Sequence, residues 1–522
     1  MEIKKTPQEI WAEFEECNNY NQSIRLSETV KKNEDFFSGK QWEGVNAPDL
    51  EKPVLNFLRR VVTYFISMIV SDDVAVSVTP FFQTGENELA AKILSAEVER
   101  VIERTGAKAL HRDALRDAAV DGDGCFYLYF DPEAETGQTA RGEICIETVD
   151  NTKVLFGNPY VSQVQKQPYL LLVRRDSCRT VRERAEAHGM DPKLIVPDNA
   201  QRYYGEDKTS AQELVTCVLK LWRDPQSKTI RFLETTQGAL VRPETDTGYQ
   251  LYPVAFLPWE KAKGSYHGIS PITGLIPNQI CVNKLWAMAM QHQKLMAFPK
   301  VFYDNTKIKS WNNRVGQAVA VAGNPNDAVA SAFRAPDMSG QVLDLVERTI
   351  SMTRDFMGAS DAALGNIKPD NTSAIIAVQK ASSAPLELQR LAFYQFVEDY
   401  VRVLIDMIRV HYGVRLVSLE LENGTEAVAF DFSSVDYDGM QMKVDVGSSA
   451  YWSELMQIQT MDNLFQKGII ADAVTYLEGI PDTYLKNKNK ILSQLRQRQA
   501  QMQTQLQMLQ GGVPDGGNLP QM

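Results

Sequence analysis

The spacing of apolar residues changes sharply at Asp121-Gly122-Asp123-Gly124, and that change limits the fold more than any other stretch of the chain. Before it, Leu94, Val98, Val101 and Ile102 recur at helical intervals within Glu86–Glu103, and a second helix is expected over Lys108–Val120. The first 120 residues therefore read as helical. After the turn, Cys125–Phe130 alternates as a half-buried strand does, and further strands are expected at Glu143–Val149, Lys153–Phe156, Tyr169–Arg174, Leu214–Trp222 and Thr229–Leu233. Helices and strands in separate blocks, without βαβ alternation, place the chain in the α+β class.

Helical spacing returns at Gly268-Ile269-Ser270-Pro271, where Ser270 suits an N-cap and Pro271 the first helical position. This helix is expected to run to about Ala297, with a kink or restart at Pro277 and an end at Phe298-Pro299. Residues 300–340 read as short elements punctuated by Gly and Pro, followed by a helix over Val342–Met357 and a loop over Gly358–Asn371. Ser373–His411 reads as one long helix kinked at Pro385, apolar on most faces from Leu391 to Ile408 and so buried between other elements. Arg415–Leu421 and Ala427–Phe432 flank an Asn423-Gly424 hairpin signal. A tail helix is expected from about Thr483 to Gln510 with a weak heptad-like leucine stripe, and the last dozen residues read as disordered.

Composition excludes several functional classes. With 522 residues, 44% of them hydrophobic, the chain can bury a large core, and its length suggests about three to four domain-sized units. The net charge of −11 argues against a general DNA coat or a basic membrane binder. The apolar run Val61–Val70 is too short to cross a bilayer, and the N-terminus lacks the apolar segment of a secretion signal, so no membrane partner is expected. The six cysteines are scattered without a CxxC pair, which fits free, mostly buried thiols rather than a zinc cage.

Neither a phosphate-cradling GxxxxGK[ST] loop nor a GxGxxG after a strand occurs, so an internal ATPase is not expected. The five histidines lie far apart, without HExxH, and no GxSxG elbow is present. Carboxylate groups such as Glu13-Glu15-Glu16 and Asp431-Asp436-Asp438 read best as solvated surface, although they leave a metal-dependent DNA-processing enzyme, a nuclease, open as the alternative. The expectation is a non-enzyme with no catalytic residues, no cofactor and no metal. One segment runs against the overall charge: between Ser270 and Ala330, Lys284, Lys294, Lys300, Lys307, Lys309 and Arg314 face only Asp304 and Asp327. That local excess suits a polyanion or an ordinary basic surface equally well.

The order of several motifs resembles the portal proteins of tailed double-stranded-DNA bacteriophages. The motifs are Phe36-Phe37-Ser38-Gly39-Lys40-Gln41-Trp42 with Pro53-Val54-Leu55-Asn56, and Ala119 to Tyr127 with Ile146 to Asp150 and Phe156 to Pro159. They continue with Gly268 to Pro271 through Asn278-Gln279 and Asn283-Lys284-Leu285, then Met357-Gly358-Ala359-Ser360, Leu364-Gly365, and Thr372 to Ile375 leading into Gln379-Lys380-Ala381. The resemblance implies a portal fold with wing, stem, clip and crown regions, in which twelve copies form a ring around a channel at one capsid vertex. DNA would enter through that channel during packaging and leave through it during ejection.

Carried onto this chain, residues 1–267 would be most of the wing, 268–299 the first stem helix, 300–340 the clip and 341–358 the second stem helix. Residues 359–372 would be the tunnel loop, 373–449 the long kinked helix and following strands, and 450–522 the crown helices and disordered tail. The implied partners are the terminase ATPase, the major capsid and scaffold proteins, and the head–tail adaptor proteins. The implied site is the virion vertex, with assembly in the bacterial cytoplasm. Lys284, Gln291, Lys294, Asn366, Lys368 and Asn371 are then the candidates for contact with DNA in the channel, and Lys300, Lys307, Lys309 and Arg314 the candidates for partner docking. An acidic chain suits such a channel, because affinity for DNA grows with the number of phosphates neutralised and a dense cationic lining would hold a polymer that must slide.

Overall fold

The computed structural model describes the chain except for residues 1–4, 49, 71–73, 81–84, 136–139, 199–212, 299, 312–317, 328–329, 334–339, 359–383, 422–423, 436–439, 447–457, 459, 471, 481–490, 493 and 496–522. It divides into two units rather than the three to four that length suggests: one of residues 1–70 with 76–445, the other of 71–75 with 446–522. Chain length is a poor guide here because α and β blocks distant in sequence share one core.

The larger unit begins with α1 (Pro7–Ser23), α2 (Leu26–Ser38) and α3 (Phe57–Val70), then β1 (Val74–Pro80, of which residues 76–80 belong to this unit), α4 (Gly85–Arg104) and α5 (Ala107–Asp121). Strand β1 departs from the all-helical expectation for the first 120 residues. β2 (Asp123–Asp131) follows α5 through the expected turn and pairs antiparallel with β3 (Glu143–Thr148). Next come β4 (Val154–Phe156), β5 (Tyr169–Ser177), α6 (Cys178–Ala187), β6 (Leu214–Arg223), β7 (Ile230–Thr235), β8 (Leu240–Asp246) and β9 (Val254–Pro258). Strands β4 to β8 form an antiparallel sheet in chain order, and β9 returns to the free edge of β2.

The five-stranded sheet is covered on both faces, which the alternation of β6 makes explicit. Val218 and Trp222 pack with Ile10, Trp11 and Phe14 of α1, whereas Val215 and Cys217 pack with Val181 and Ala185 of α6. Lys220 lies on the α1 face with 1% exposure. Its Nζ donates to Glu13 Oε2 at 2.6 Å and sits 4.9 Å from the Tyr169 ring centroid. Glu13, read from sequence as solvated surface, is instead 3% exposed, because its position on α1 faces the sheet.

Beyond β9, α7 (Pro271–Ala297), β10 (Lys300–Tyr303), β11 (Ala330–Phe333) and α8 (Gln341–Phe356) form a helical hairpin carrying a small β-hairpin, with Lys300 paired opposite Phe333. Helix α9 (Glu387–His411) starts only after a short 3₁₀ turn at Ala384–Leu386. Pro385 lies in that turn, consistent with its missing N–H and fixed φ; residues 373–383 of the expected kinked helix lie outside the described residues. Val414–Leu421 (β12) and Gly424–Asp431 (β13) make the expected hairpin, and Met440–Val446 (β14) pairs with β1. In the smaller unit, α10 (Ala473–Glu478) is capped by Asp472, and the Phe465 and Tyr476 rings are 4.6 Å apart. The expected tail stripe falls almost wholly outside the described residues.

Helix α9 is the core that the sheet β3-β2-β9 closes on. Phe393, Phe396, Val397, Tyr400, Leu404, Met407 and Ile408 are all buried, and Phe126 of β2 lies 4.8 Å, centroid to centroid, from Phe396. His111 of α5 reaches this core with its Nε2 2.9 Å from the Tyr400 hydroxyl. Burial, reinforced by the charge of Lys108, lowers its pKa from 6.5 to about 4. The folded state thus binds fewer protons than the unfolded chain between those values, and folding stability falls as pH drops from about 6.5 to about 4. The full shift corresponds to about 3 kcal/mol. We expect His111→Phe to remove that share of the acid sensitivity, measured as the urea midpoint at pH 7 minus that at pH 4.5; an unchanged difference would show that His111 is not the group responsible.

Candidate functional site

The motifs at the α5–β2 turn and the start of α7, singled out separately in the sequence, meet in the structure. Asp123 Oδ1 accepts from the Gly268 backbone N–H at 2.6 Å, and its Oδ2 is 2.7 Å from His267 Nδ1. Ser270 Oγ donates to the Ala119 carbonyl at 2.7 Å and accepts from the Ile272 N–H, as an N-cap does. The backbones approach so closely that a Cβ at Gly124 would stand 2.3 Å from the Ala114 carbonyl oxygen, and one at Gly268 2.5 Å from that of Gly122. Only glycine fits at either place.

From this root α7 runs unbroken to Ala297 with Pro277 inside it, so the helix does not restart there. Helix α8 returns beside it, and Asn278 Nδ2 donates to Thr353 Oγ1 at 3.1 Å, so the start of one helix meets the end of the other. The start of α7 is buried, but apolar side chains are exposed along both helices, including the end of α8 nearest that root. On α7, Lys284, Met288, Gln291, Leu295 and Phe298 follow at alternating steps of four and three, the spacing of a helix-packing seam. Met288 is 63% and Phe298 66% exposed; on α8, Leu345, Met352 and Phe356 share a stripe and are 51%, 61% and 87% exposed. Lys284 is exposed, and Gln291 has a buried Oε1 without a hydrogen-bond partner. The two residues thus share a face, as their spacing requires, but the face is mainly apolar.

The remaining candidates divide by position. Lys294 forms a 3.4 Å ion pair with Glu51, exposed on both sides and worth little. Lys300 opens β10, Lys307 Nζ donates to the Asp327 carbonyl at 2.8 Å, and Lys309 is exposed. Asp304 accepts from the Thr306 hydroxyl and N–H, which holds its pKa below the usual range. Lys294 thus meets a carboxylate, whereas Lys307 keeps its charge against a neutral carbonyl. Arg314, Asn366, Lys368 and Asn371 lie outside the described residues.

Among the described residues, no group of three or more His, Cys, Asp or Glu side chains is placed to hold a metal ion. Glu13 is committed to Lys220, and Asp431 Oδ1 accepts from the Ser433 N–H and hydroxyl; Asp436 and Asp438 lie outside the described residues. A concavity of about 340 Å³ between β3 and β5 is lined by Glu147, Asp150, Lys153, Arg174, Arg175 and Asp176 among others; Arg174 pairs with Glu147 within it, whereas Arg175 pairs with Asp198 and Asp176 with Arg184. The six cysteines are free: Cys125, Cys178 and Cys217 are buried and Cys281 is exposed on α7. No described helix is long and apolar enough to cross a membrane.

Sequence reasoning missed the seam on α8, although Leu345, Met352 and Phe356 are spaced at seven and four residues. Apolar residues at helical intervals look the same in sequence whether they pack inward or outward. No protein-family model matches the chain, and no curated protein matches it.

Proposed function

We propose that this chain is the subunit of a phage portal: a ring, twelve copies by resemblance, that forms the vertex channel for double-stranded DNA and the docking site for the terminase ATPase and the neck and tail proteins. The observation that carries the reading is the antiparallel α7–α8 hairpin, rooted in a buried core and leaving two apolar seams uncovered along its length. Exposed apolar surface of this kind marks an interaction site. Two different seams on one hairpin suit a head-to-tail contact that closes by rotation. In such a ring Lys284, Gln291 and Lys294 belong to the stem. Lys300, Lys307, Lys309 and Arg314 belong to the clip that meets the motor and adaptors, and Asn366, Lys368 and Asn371 to the loop that meets DNA.

The mass of the purified protein in solution, with electron micrographs of the same fraction, tests the reading. Twelve copies of the 58.7 kDa chain make about 704 kDa, and an annular particle with an axial hole near that mass is the expected result. A monomer or dimer that cleaves DNA only with magnesium or manganese would overturn it in favour of a nuclease.

A further inference from the structure

Helix α7 is continuous through the place where its sequence is weakest. Pro277 has no N–H to give the Thr273 carbonyl, and its ring crowds that carbonyl; Gly274, one residue further on from Thr273, adds a second weak position. Yet the helix is continuous, and the side chains on either side of the weak segment are fastened to the same body. On the N-terminal side, Ser270 Oγ donates to the Ala119 carbonyl, and Asn33 Nδ2 donates to Thr273 Oγ1 at 2.9 Å and to the Val120 carbonyl at 2.8 Å. On the C-terminal side, Gln279 Nε2 donates to the Leu55 carbonyl at 2.8 Å and to Asn283 Oδ1 at 3.0 Å. Asn283 Nδ2 donates to Gln41 Oε1 at 2.6 Å, and Gln41 Nε2 to the Phe36 carbonyl at 2.9 Å.

These amides are 0–7% exposed: Gln279 0%, Asn33 1%, Asn283 3% and Gln41 7%. Apolar residues would fill the same space without needing partners, so a buried amide network at a helix root specifies geometry more than it adds stability. Such a network is also all-or-none, since removing one amide strands the others. Gln279 Oε1 is itself buried without a donor, so the fastening is incomplete as it stands.

We propose that residues 274–277 are a clamped hinge: a weak helical segment held in one arrangement by the Asn33–Thr273 and Gln41–Asn283–Gln279–Leu55 contacts, whose release changes the angle of the α7–α8 hairpin to the rest of its unit. Its role in setting the bore of a channel rests on the ring reading above; the hinge itself does not.

Hydrogen–deuterium exchange on the full-length protein tests the hinge. Asn283→Leu is expected to raise exchange of the amides from about residue 275 to 284 by about tenfold or more, the signature of a local opening made easier. Adding Pro277→Ala to Asn283→Leu is expected to restore protection, because the helix then regains the N–H that bonds the Thr273 carbonyl and holds together unaided. Gln41→Leu removes the same contact from the other side and serves if Asn283→Leu does not fold. Unchanged exchange in these variants, or raised exchange that Pro277→Ala fails to reverse, would overturn the hinge; the latter would show ordinary loosening of a core. A wild-type chain that is monomeric by mass would remove the ring and leave this outcome to decide the hinge alone.

Discussion

Lys220→Met is expected to cost about 3–5 kcal/mol of stability, because it leaves the Glu13 carboxylate buried without its ammonium partner. Lys220 is 1% and Glu13 3% exposed, and the bond between them spans 207 residues, fastening α1 to the middle strand of the five-stranded sheet. The attraction within the pair is not the source of so large a loss. Most of it is the penalty of stranding one charge away from water. The double variant Glu13→Leu with Lys220→Met is therefore expected to return to within about 1 kcal/mol of the original protein or to exceed it, as apolar replacements of buried pairs do. Urea midpoints of the two single variants and the double would decide the matter, and singles no weaker than the double would mean that the orphaned group finds water.

The second large effect concerns assembly. Met352→Asp with Phe356→Asp places two carboxylates on the exposed seam of α8, where closing a contact would strip them of water without a cation to meet them. In the proposed ring the same penalty would recur at every junction, so we expect the variant to run as single 58.7 kDa chains with an unchanged far-ultraviolet circular dichroism spectrum. Leu194→Asp, a control at a side chain 58% exposed beside α6, is expected to leave the mass unaltered. A double variant of full particle mass would place the subunit contact elsewhere.

Local patterns made much of the architecture legible. The Ser270-Pro271 start and Phe298-Pro299 end delimited α7 to within a residue, and the Asp121–Gly124 turn located the switch to strands. Strand β8 was missed because Leu240–Asp246 includes Pro and three charged residues, tolerable where a strand runs to a sheet edge. Helix α6 was missed because Cys178–Ala187 carries five charges and buries only Cys178, Val181 and Ala185. Other features had no local signal at all. That Glu13 answers Lys220, that Asn283 answers Gln41 and that Asp123 answers His267 are facts about segments far apart in the chain. The basic segment showed the opposite weakness: composition counted Lys294 as free charge, and only geometry assigned it to Glu51, which lies far back in the chain.

The filling of the β3-β2-β9 sheet by α9 bears on how the chain is made. His111 and Tyr400 are 289 residues apart, so at about 5–20 residues per second the ribosome takes roughly 15–60 s to deliver the partner of His111 after His111 itself. During that interval Phe126 and the apolar faces of α5 and β2 have no α9 to cover them. The nascent chain must therefore pass through a long exposure before its central core can close, the condition under which chaperones become necessary and premature termination yields aggregates.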